Sequence, residues 1–450
     1  MPGASRAGTA RRRSRQARLV SWRRVGNHFP DLSVAIMRAS MQSCQSMLCP
    51  GFSINTCFAR GSDWPRMRSN RIWRALTLLG AVLVSFAEPC AKAATETNFR
   101  GTYNGLIYAD GEPAPEQSGY FVIKVTASGH FTGKVLVGSR HGSFHGKFDA
   151  QGEATANVRL PRVHTDVNCI FCDYPTVSKT NWILTWTLSL QLVNDREQMT
   201  GQVFHRGGER WIAVLAGDRA GFDRTNPAPQ AGRYTFILPG NADSGTTNSP
   251  NGHGNGTLTV DTSGRVVVNG VLADGAIISQ SAVLSKDGIW PLFIPLHNGR
   301  GMLLAWMTFT NLPETDLAGT VMWIKPARPR AQLYPAGFTN AMIVSASRYA
   351  QTNPVLELTN GIVVLQGGRL SSPFTNSVTL EARGGVGTPS NDSVTLTISP
   401  KSGLFKGKVH EPASGRTIPF RGAVLQKQNA GFGYFLGAGR SGEVFLGSGP

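Results

Sequence analysis

The pentapeptide Phe131-Thr132-Gly133-Lys134-Val135 shows the pattern that decides the fold: a large apolar residue, any residue, glycine, any residue and a second large apolar residue. In a β-strand, residues i, i+2 and i+4 share one face, so the pentapeptide turns both bulky residues and the glycine inward. Alternating large and small inward residues is typical of small β-barrels. The pattern recurs at residues 99–103, 131–135, 144–148, 199–203, 268–272, 317–321, 405–409 and 420–424, called here the glycine pentapeptides.

Three glycine pentapeptides follow a strand-like run and a Ser-Gly turn. These turns are Ser128-Gly129, Ser263-Gly264 and Ser402-Gly403. A repeated hairpin of this kind predicts serial β-modules. We therefore expect an all-β chain of tandem antiparallel β-barrel or coiled β-sandwich modules: module A at 94–228, module B at 229–330 and module C at 331–450. Module C either stands alone or shares one sheet with module B.

The net charge of +18 is concentrated at the beginning of the chain. Residues 1–93 hold 15 Lys and Arg against 3 Asp and Glu, a net charge of +12, which leaves +6 for the rest. A nucleic-acid-binding domain carries its basic patch on the folded part. The charge distribution therefore predicts no nucleic-acid partner.

Residues 67–93 have the pattern of a secretory signal peptide. A basic segment at 67–74 precedes an apolar stretch at 75–87, and Ala91-Lys92-Ala93 supplies a small-x-small cleavage site. The apolar stretch is too short to span a membrane, so we expect no membrane span in the mature chain and export to the periplasm, cell surface or medium. Residues 1–66 are interpreted as untranslated or disordered, the alternative being a basic N-terminal arm.

Two further stretches resemble a known kind of module. Gly232-Arg233-Tyr234-Thr235 begins a run that ends at Trp323-Ile324-Lys325-Pro326, and Gly433-Tyr434-Phe435-Leu436-Gly437 lies near the end of the chain. Both are similar to glycine-rich β-repeat modules of exported bacterial proteins. The resemblance covers most of residues 99–446 and implies no activity or catalytic residue.

Cys169 and Cys172 are the sharpest candidate for local chemistry. Their Cys-x-x-Cys spacing lies among turn residues, which favours a disulfide that closes a loop. Redox catalysis and a zinc site are the alternatives. Zinc would draw on the histidines of module A, which otherwise form a solvated polar face; they are His130, His141, His145, His164 and His205.

The segment 240–256, rich in Gly, Asn and Ser, contributes most of the predicted binding surface, which consists of Trp290, Asp243, Asn248 and Asn251. Exposed tryptophan stacks on sugars, but core filling is the alternative for Trp290. A flexible hairpin loop, or a calcium site, is the alternative for the Asn-rich segment.

The expected function is non-catalytic: an exported structural or adhesion module without cofactor, with a glycan or a cell-surface protein as partner. A secreted polysaccharide hydrolase is one alternative, using Asp274 with Asp287 or Glu314 with Asp316 as paired carboxylates. An outer-membrane β-barrel is another. Because the outward positions of the glycine pentapeptides vary as in a scaffold, local function is expected in 163–179 and 240–256.

Overall fold

The computed structural model describes residues 99–168, 176–193, 197–205, 211–241, 249–381, 386–387, 394–411 and 415–449, with the backbone alone for 161–168, 176–185 and 386. Within these ranges the chain forms antiparallel strands, joined by turns that include short 3-10 segments at Pro115–Gln117, His297–Gly299 and Gln426–Gln428. The prediction of an all-β chain built from antiparallel barrel-like sheets is confirmed. Among the described residues, none of the helical segments has the length and hydropathy that a membrane crossing requires.

The first sheet has eight strands. They are β1 (Gly101–Ala109), β2 (Gly119–Val125), β3 (His130–Val137), β4 (Arg140–Lys147), β5 (Glu153–Asn168), β6 (Thr176–Val193), β7 (Gln198–His205) and β8 (Trp211–Arg219). Their order is β4-β3-β2-β1-β8-β7-β6-β5. Gly142 of β4 packs against Val158 and Leu160 of β5, so the two outer strands meet and nearly close a barrel.

The middle of the chain forms two five-stranded sheets. Their strands are β9 (Gly232–Leu238), β10 (Gly254–Val260), β11 (Arg265–Val271), β12 (Ile277–Val283), β13 (Ile289–Leu296), β14 (Gly301–Phe309), β15 (Leu317–Ala318), β16 (Thr320–Lys325), β17 (Phe338–Ile343) and β18 (Ser345–Arg348). One sheet has the order β12-β11-β10-β9-β18, and the other β13-β14-β16-β17 with β15 paired to β14. Side chains from both sheets bury one shared core, which includes Trp290, Leu303 and Trp323.

The last sheet again has eight strands. They are β19 (Asn360–Gly367), β20 (Phe374–Leu380), β21 (Val386–Gly387), β22 (Val394–Ile398), β23 (Leu404–Glu411), β24 (Arg416–Leu425), β25 (Ala430–Leu436) and β26 (Ser441–Gly447). Their order is β21-β20-β19-β26-β25-β24-β23-β22. The sheet encloses its own apolar core, which includes Phe405, Phe420 and Phe435.

The pairing of β17 and β18 bears on where modules B and C divide. Both strands lie after residue 330, yet β17 pairs with β16 and β18 pairs with β9. The predicted boundaries stay a prediction, and on sheet membership we propose that module B extends to about Arg348.

Within module A, and again within module C, two glycine pentapeptides lie side by side on neighbouring strands. Phe131 lies opposite Gly146, and Phe144 lies opposite Gly133. Each phenylalanine ring covers the glycine of the other strand. The same reciprocal arrangement recurs on β23 and β24, with the pairs Phe405 and Gly422, and Phe420 and Gly407. Because glycine has no side chain, the phenylalanine ring of the opposite strand can lie directly over it. Each hairpin therefore packs two aromatic rings inward at close range.

One glycine pentapeptide departs from a continuous strand. In residues 317–321 the strand is interrupted at Gly319, which has φ +155° and separates β15 from β16. Backbone of the neighbouring strand, at Trp306, lies close to Gly319 on the side where a Cβ would point. A glycine is therefore required here by close approach of the backbone rather than by a ring.

Candidate functional site

A cleft of about 730 Å³ lies between the outer faces of two sheets. One wall is formed by β10, β11 and β12, and the other by β22, β23 and β24. Both walls are sheet faces that point away from the apolar cores, so their side chains are the outward members of an alternating pattern.

Three cations stand on the β22–β24 wall: Lys406, Lys408 and Arg421. Lys406 and Lys408 alternate along β23 with Phe405 and Val409, which are each 2% exposed. Successive residues of a strand point to opposite faces, so burial of the apolar pair in the barrel forces both lysines into the cleft. The positive wall is therefore a direct consequence of the glycine pentapeptide Phe405-Lys406-Gly407-Lys408-Val409.

Strand register places two of these cations directly against each other. Lys406 is the cross-strand partner of Arg421, while Lys408 lies opposite Thr395 on its other side. Like charges directly opposite in a sheet destabilise it. None of the three cations forms an ion pair with a side chain in the described part of the chain, and no carboxylate is among the described residues that line the cleft.

The cations also act on a neighbouring buried group. Tyr434 of β25 is the other cross-strand partner of Arg421 and is 3% exposed. Burial raises the pKa of the Tyr434 hydroxyl, and the positive charge of Arg421 works in the opposite direction. Because directly opposite residues of a sheet share a face, Tyr434 lies on the same outward face as Arg421.

The facing wall is neutral and rich in hydrogen-bonding groups. Asn255, Thr257 and Asn269 lie along it, with Ile277 at 81% exposure on β12. The Oδ1 atom of Asn269 accepts a hydrogen bond from Ser279 Oγ at 3.0 Å. This contact orients the amide and leaves its two N–H groups for a ligand.

The cleft is closed at one side by direct bonds between the two sheets. Thr235 of β9 is fully buried, and its Oγ1 donates to the carbonyl oxygen of Val424 at 2.5 Å. Next to it, the backbone N–H of Lys427 donates to Ser347 Oγ at 3.0 Å. Lys427 Nζ also pairs with Asp316 Oδ1 at 2.7 Å. These contacts fix the spacing of the two walls.

A second set of bonds between the sheets surrounds His253, which precedes β10. Its Nδ1 accepts from the backbone N–H of Gly240 at 3.1 Å, so in the neutral ring Nε2 carries the proton and donates to Glu443 Oε1, also at 3.1 Å. Gln366 Nε2 donates to the other oxygen of Glu443 at 2.9 Å. The His253 hydrogen bond, opposed by burial, holds the pKa of Glu443 below its ordinary value.

The predicted binding residues occupy different places. Asn251 belongs to the segment docked beside His253, and its Nδ2 donates to the carbonyl oxygen of Asn241 at 3.1 Å. Trp290 is 3% exposed and its Nε1 donates to Gln280 Oε1 at 3.3 Å, so its ring fills the core and offers no surface for stacking. Asp243, Asn248, Cys169 and Cys172 lie outside the described residues, and the predicted disulfide stays a prediction.

The carboxylates proposed for hydrolysis are separated or already bonded. Asp274 and Asp287 lie in the turns at opposite ends of β12, and Asp274 Oδ2 pairs with buried Lys325 Nζ at 2.6 Å. Asp316 pairs with Lys427 and accepts from the backbone N–H of Arg348 at 2.6 Å. Within the described ranges no group of three His, Cys, Asp or Glu side chains is placed to hold a metal ion.

Sequence reasoning does not find the cleft cations, because varied outward positions of the glycine pentapeptides are also what a scaffold would show. A signal was present in the sequence: three cations stand at outward positions of consecutive pentapeptides, at 406, 408 and 421. The matched positions of module A carry two lysines, but Lys134 lies opposite Ser143 and Lys147 opposite His130, so no Lys or Arg there faces another. Comparison between repeats, rather than within one, would have pointed to module C.

Comparisons with known proteins add little to this geometry. No protein-family model matches the chain, and no curated protein matches it. Among solved structures, the chain is similar to a tryptophan-to-alanine mutant of the vaccine antigen transferrin-binding protein B from Haemophilus parasuis, at 10% sequence identity and a TM-score of 0.20, with 77% of this chain and 75% of that chain covered. A likeness at this TM-score transfers neither ligand nor activity to this chain.

Proposed function

We propose that the chain is a non-catalytic binding protein of the cell exterior, and that the cleft between β10–β12 and β22–β24 holds an anionic ligand. The observation that carries the proposal is the placement of Lys406 directly opposite Arg421, with Lys408 two residues away. Repulsion between them is an energetic cost that an anion between their head groups removes.

The composition of the cleft supports binding rather than hydrolysis. Glycoside hydrolysis needs two carboxyl groups facing the scissile bond, whereas the described lining residues supply cations, amides and hydroxyls. Two of the carboxylates considered for hydrolysis are already neutralised by ion pairs: Asp274 with Lys325, and Asp316 with Lys427. Two walls held at fixed spacing by Thr235 and His253 form a preorganised site, and preorganisation lowers the entropic cost of binding.

Export is the second part of the proposal, and it rests on the signal-peptide pattern at 67–93. Expression of the complete gene in a bacterial host, fractionation and N-terminal sequencing test it. Recovery of a chain beginning near Ala94 outside the cytoplasm is expected. A cytoplasmic chain that retains residues before Met67 would refute it.

Binding is tested with dextran sulfate as a general polyanion probe. The double variant Lys406→Ala/Arg421→Ala is expected to lose affinity about 100-fold at low salt, about tenfold per charge-assisted contact. Lys134→Ala, at the position of the first barrel that matches Lys408, should bind as the wild type does. Equal affinity of wild type and the double variant would show that the anion site lies elsewhere or does not exist.

A further inference from the structure

Resting on the proposed anion-binding cleft, we propose that its ligand is an acidic polysaccharide, carboxylated or sulfated, lying along β23 with its charged groups on the cationic wall and its hydroxyl groups on the neutral wall. The two walls differ in chemistry, and a ligand must satisfy both of them. A simple anion would satisfy the cationic wall but not the neutral wall.

The cationic wall fits a chain with repeated charges. Lys406 and Lys408 are two residues apart on one strand, which separates their Cα atoms by about 6.6 Å. Arg421 of β24 lies directly opposite Lys406. On the other side, Thr395 and Thr397 of β22 lie opposite Lys408 and Lys406. Cationic side chains and hydroxyl groups therefore lie close together on three adjacent strands. This spacing suits a polymer that carries one anionic group on every one or two of its units.

The neutral wall fits sugar hydroxyl groups. Asn269 Oδ1 accepts a hydrogen bond from Ser279 Oγ, which leaves the amide N–H groups as donors. Asn255 Nδ2 donates to the carbonyl oxygen of His253 at 3.2 Å, which leaves Asn255 Oδ1 as an acceptor. A sugar hydroxyl both donates and accepts, and Asn269 is the exposed amide of the two, since Asn255 is 5% exposed. The 81% exposed side chain of Ile277 offers a small apolar contact for the C–H face of a ring.

The absence of a stacking surface argues against single-stranded nucleic acid. Such ligands are held by aromatic side chains on which the bases stack. The two aromatic residues that border the cleft, Phe405 and Phe420, are 2% and 3% exposed and direct their rings inward over Gly422 and Gly407. Among the described lining residues, nothing flat and apolar is left to receive a base.

Four probes separate the possibilities on the complete purified protein: polygalacturonate and dextran sulfate as acidic polysaccharides, polyglutamate as a polyanion without hydroxyl groups, and oligothymidylate as single-stranded nucleic acid. At least one polysaccharide is expected to bind at least tenfold more tightly than polyglutamate and oligothymidylate. Asn269→Ala is expected to weaken polysaccharide binding about three- to tenfold and to leave polyglutamate binding unchanged. Thermal melting of each variant checks that it is folded.

The results distinguish this inference from the proposed function. If polyglutamate or oligothymidylate binds as tightly as the polysaccharides, and Lys406→Ala still weakens that binding, the cleft binds anions but the polysaccharide assignment is wrong. If no probe binds, or if Lys134→Ala weakens binding as much as Lys408→Ala, the proposed function itself is wrong.

Discussion

Lys406 and Arg421 face each other directly across β23 and β24, both exposed and both outside any ion pair with the described residues. A sheet that only served as scaffold would gain stability from an opposite charge or a β-branched residue at either position. Their juxtaposition is the arrangement expected where a binding site costs stability to the free protein.

Replacement of one cation should therefore stabilise the free protein. Lys406→Thr removes the repulsion and introduces a good strand former, so the free energy of unfolding is expected to rise by about 0.2–1 kcal/mol, more at low salt than at high salt. Urea denaturation at two salt concentrations measures it. Lys134→Thr lies opposite Ser143 rather than a cation and should show no such salt dependence. A destabilised Lys406→Thr protein would mean that the lysine supports the fold.

The reciprocal packing of phenylalanine on glycine predicts strong coupling between two positions. A Cβ added at Gly133 meets the ring of Phe144, so Gly133→Ala is expected to cost about 1–3 kcal/mol by overpacking. In a Phe144→Ala background the same change should cost less than about 1 kcal/mol, because the ring is gone. A double-mutant cycle from urea denaturation gives the coupling energy.

Gly387→Ala provides the control for that cycle, since its added Cβ would have its nearest neighbour, Glu381 Oε1, at 3.4 Å. It should be nearly neutral. Additive effects of Gly133→Ala and Phe144→Ala would contradict the packing described for the glycine pentapeptides.

The buried hydroxyl of Thr235 should control both stability and binding. Thr235→Val keeps the shape of the side chain but loses the hydrogen bond to Val424, at a cost of about 1–3 kcal/mol, and it loosens the spacing of the cleft walls. Thr235→Ser retains the hydroxyl and should retain affinity for dextran sulfate. Calorimetry and binding on the same preparations check this. Unchanged affinity in a destabilised Thr235→Val protein would show that the wall spacing does not depend on this bond.

Acid should weaken the contacts around Glu443. Because the pKa of Glu443 is lowered in the folded protein, its ionised form contributes stability above its ordinary pKa of about 4.3. That contribution is lost as the pH falls through the lower folded-state pKa. Melting temperatures between about pH 3 and pH 6 should fall more steeply for the wild type than for Glu443→Gln. Glu314→Gln, an exposed carboxyl in the loop before β15, should follow the wild type.

Alternation of side chains was sufficient to predict the buried residues of most glycine pentapeptides, although Ala423, at an outward position, is fully buried. Phe131 and Val135 are 2% exposed, and the intervening Thr132 and Lys134 are exposed, as the pattern requires. The pattern could not show that Phe131 covers Gly146, because that depends on the register between strands. Pro291 and Pro295, which follow Trp290, both lie on β13, the end strand of its sheet, where proline is tolerated.

The cleft depends on contacts that no local pattern encodes. Its walls are joined by Thr235 and Val424, which are 189 residues apart in the chain. Lys408 and Lys134 occupy the same position in their glycine pentapeptides, and only the packing of β10–β12 against β22–β24 makes the first a cleft residue. Local sequence therefore defined the faces of the strands, while long-range packing selected the face that forms a site.

The most direct test of the anion-binding cleft is protection of individual lysines from acetylation, read by mass spectrometry with and without dextran sulfate. Lys406 and Lys408 should become protected when the polyanion binds, while Lys134, exposed on the first barrel, should react at the same rate in both samples. Equal protection of all three lysines, or no protection of Lys406 and Lys408 while the polyanion is bound, would contradict the assignment of this cleft as the ligand site.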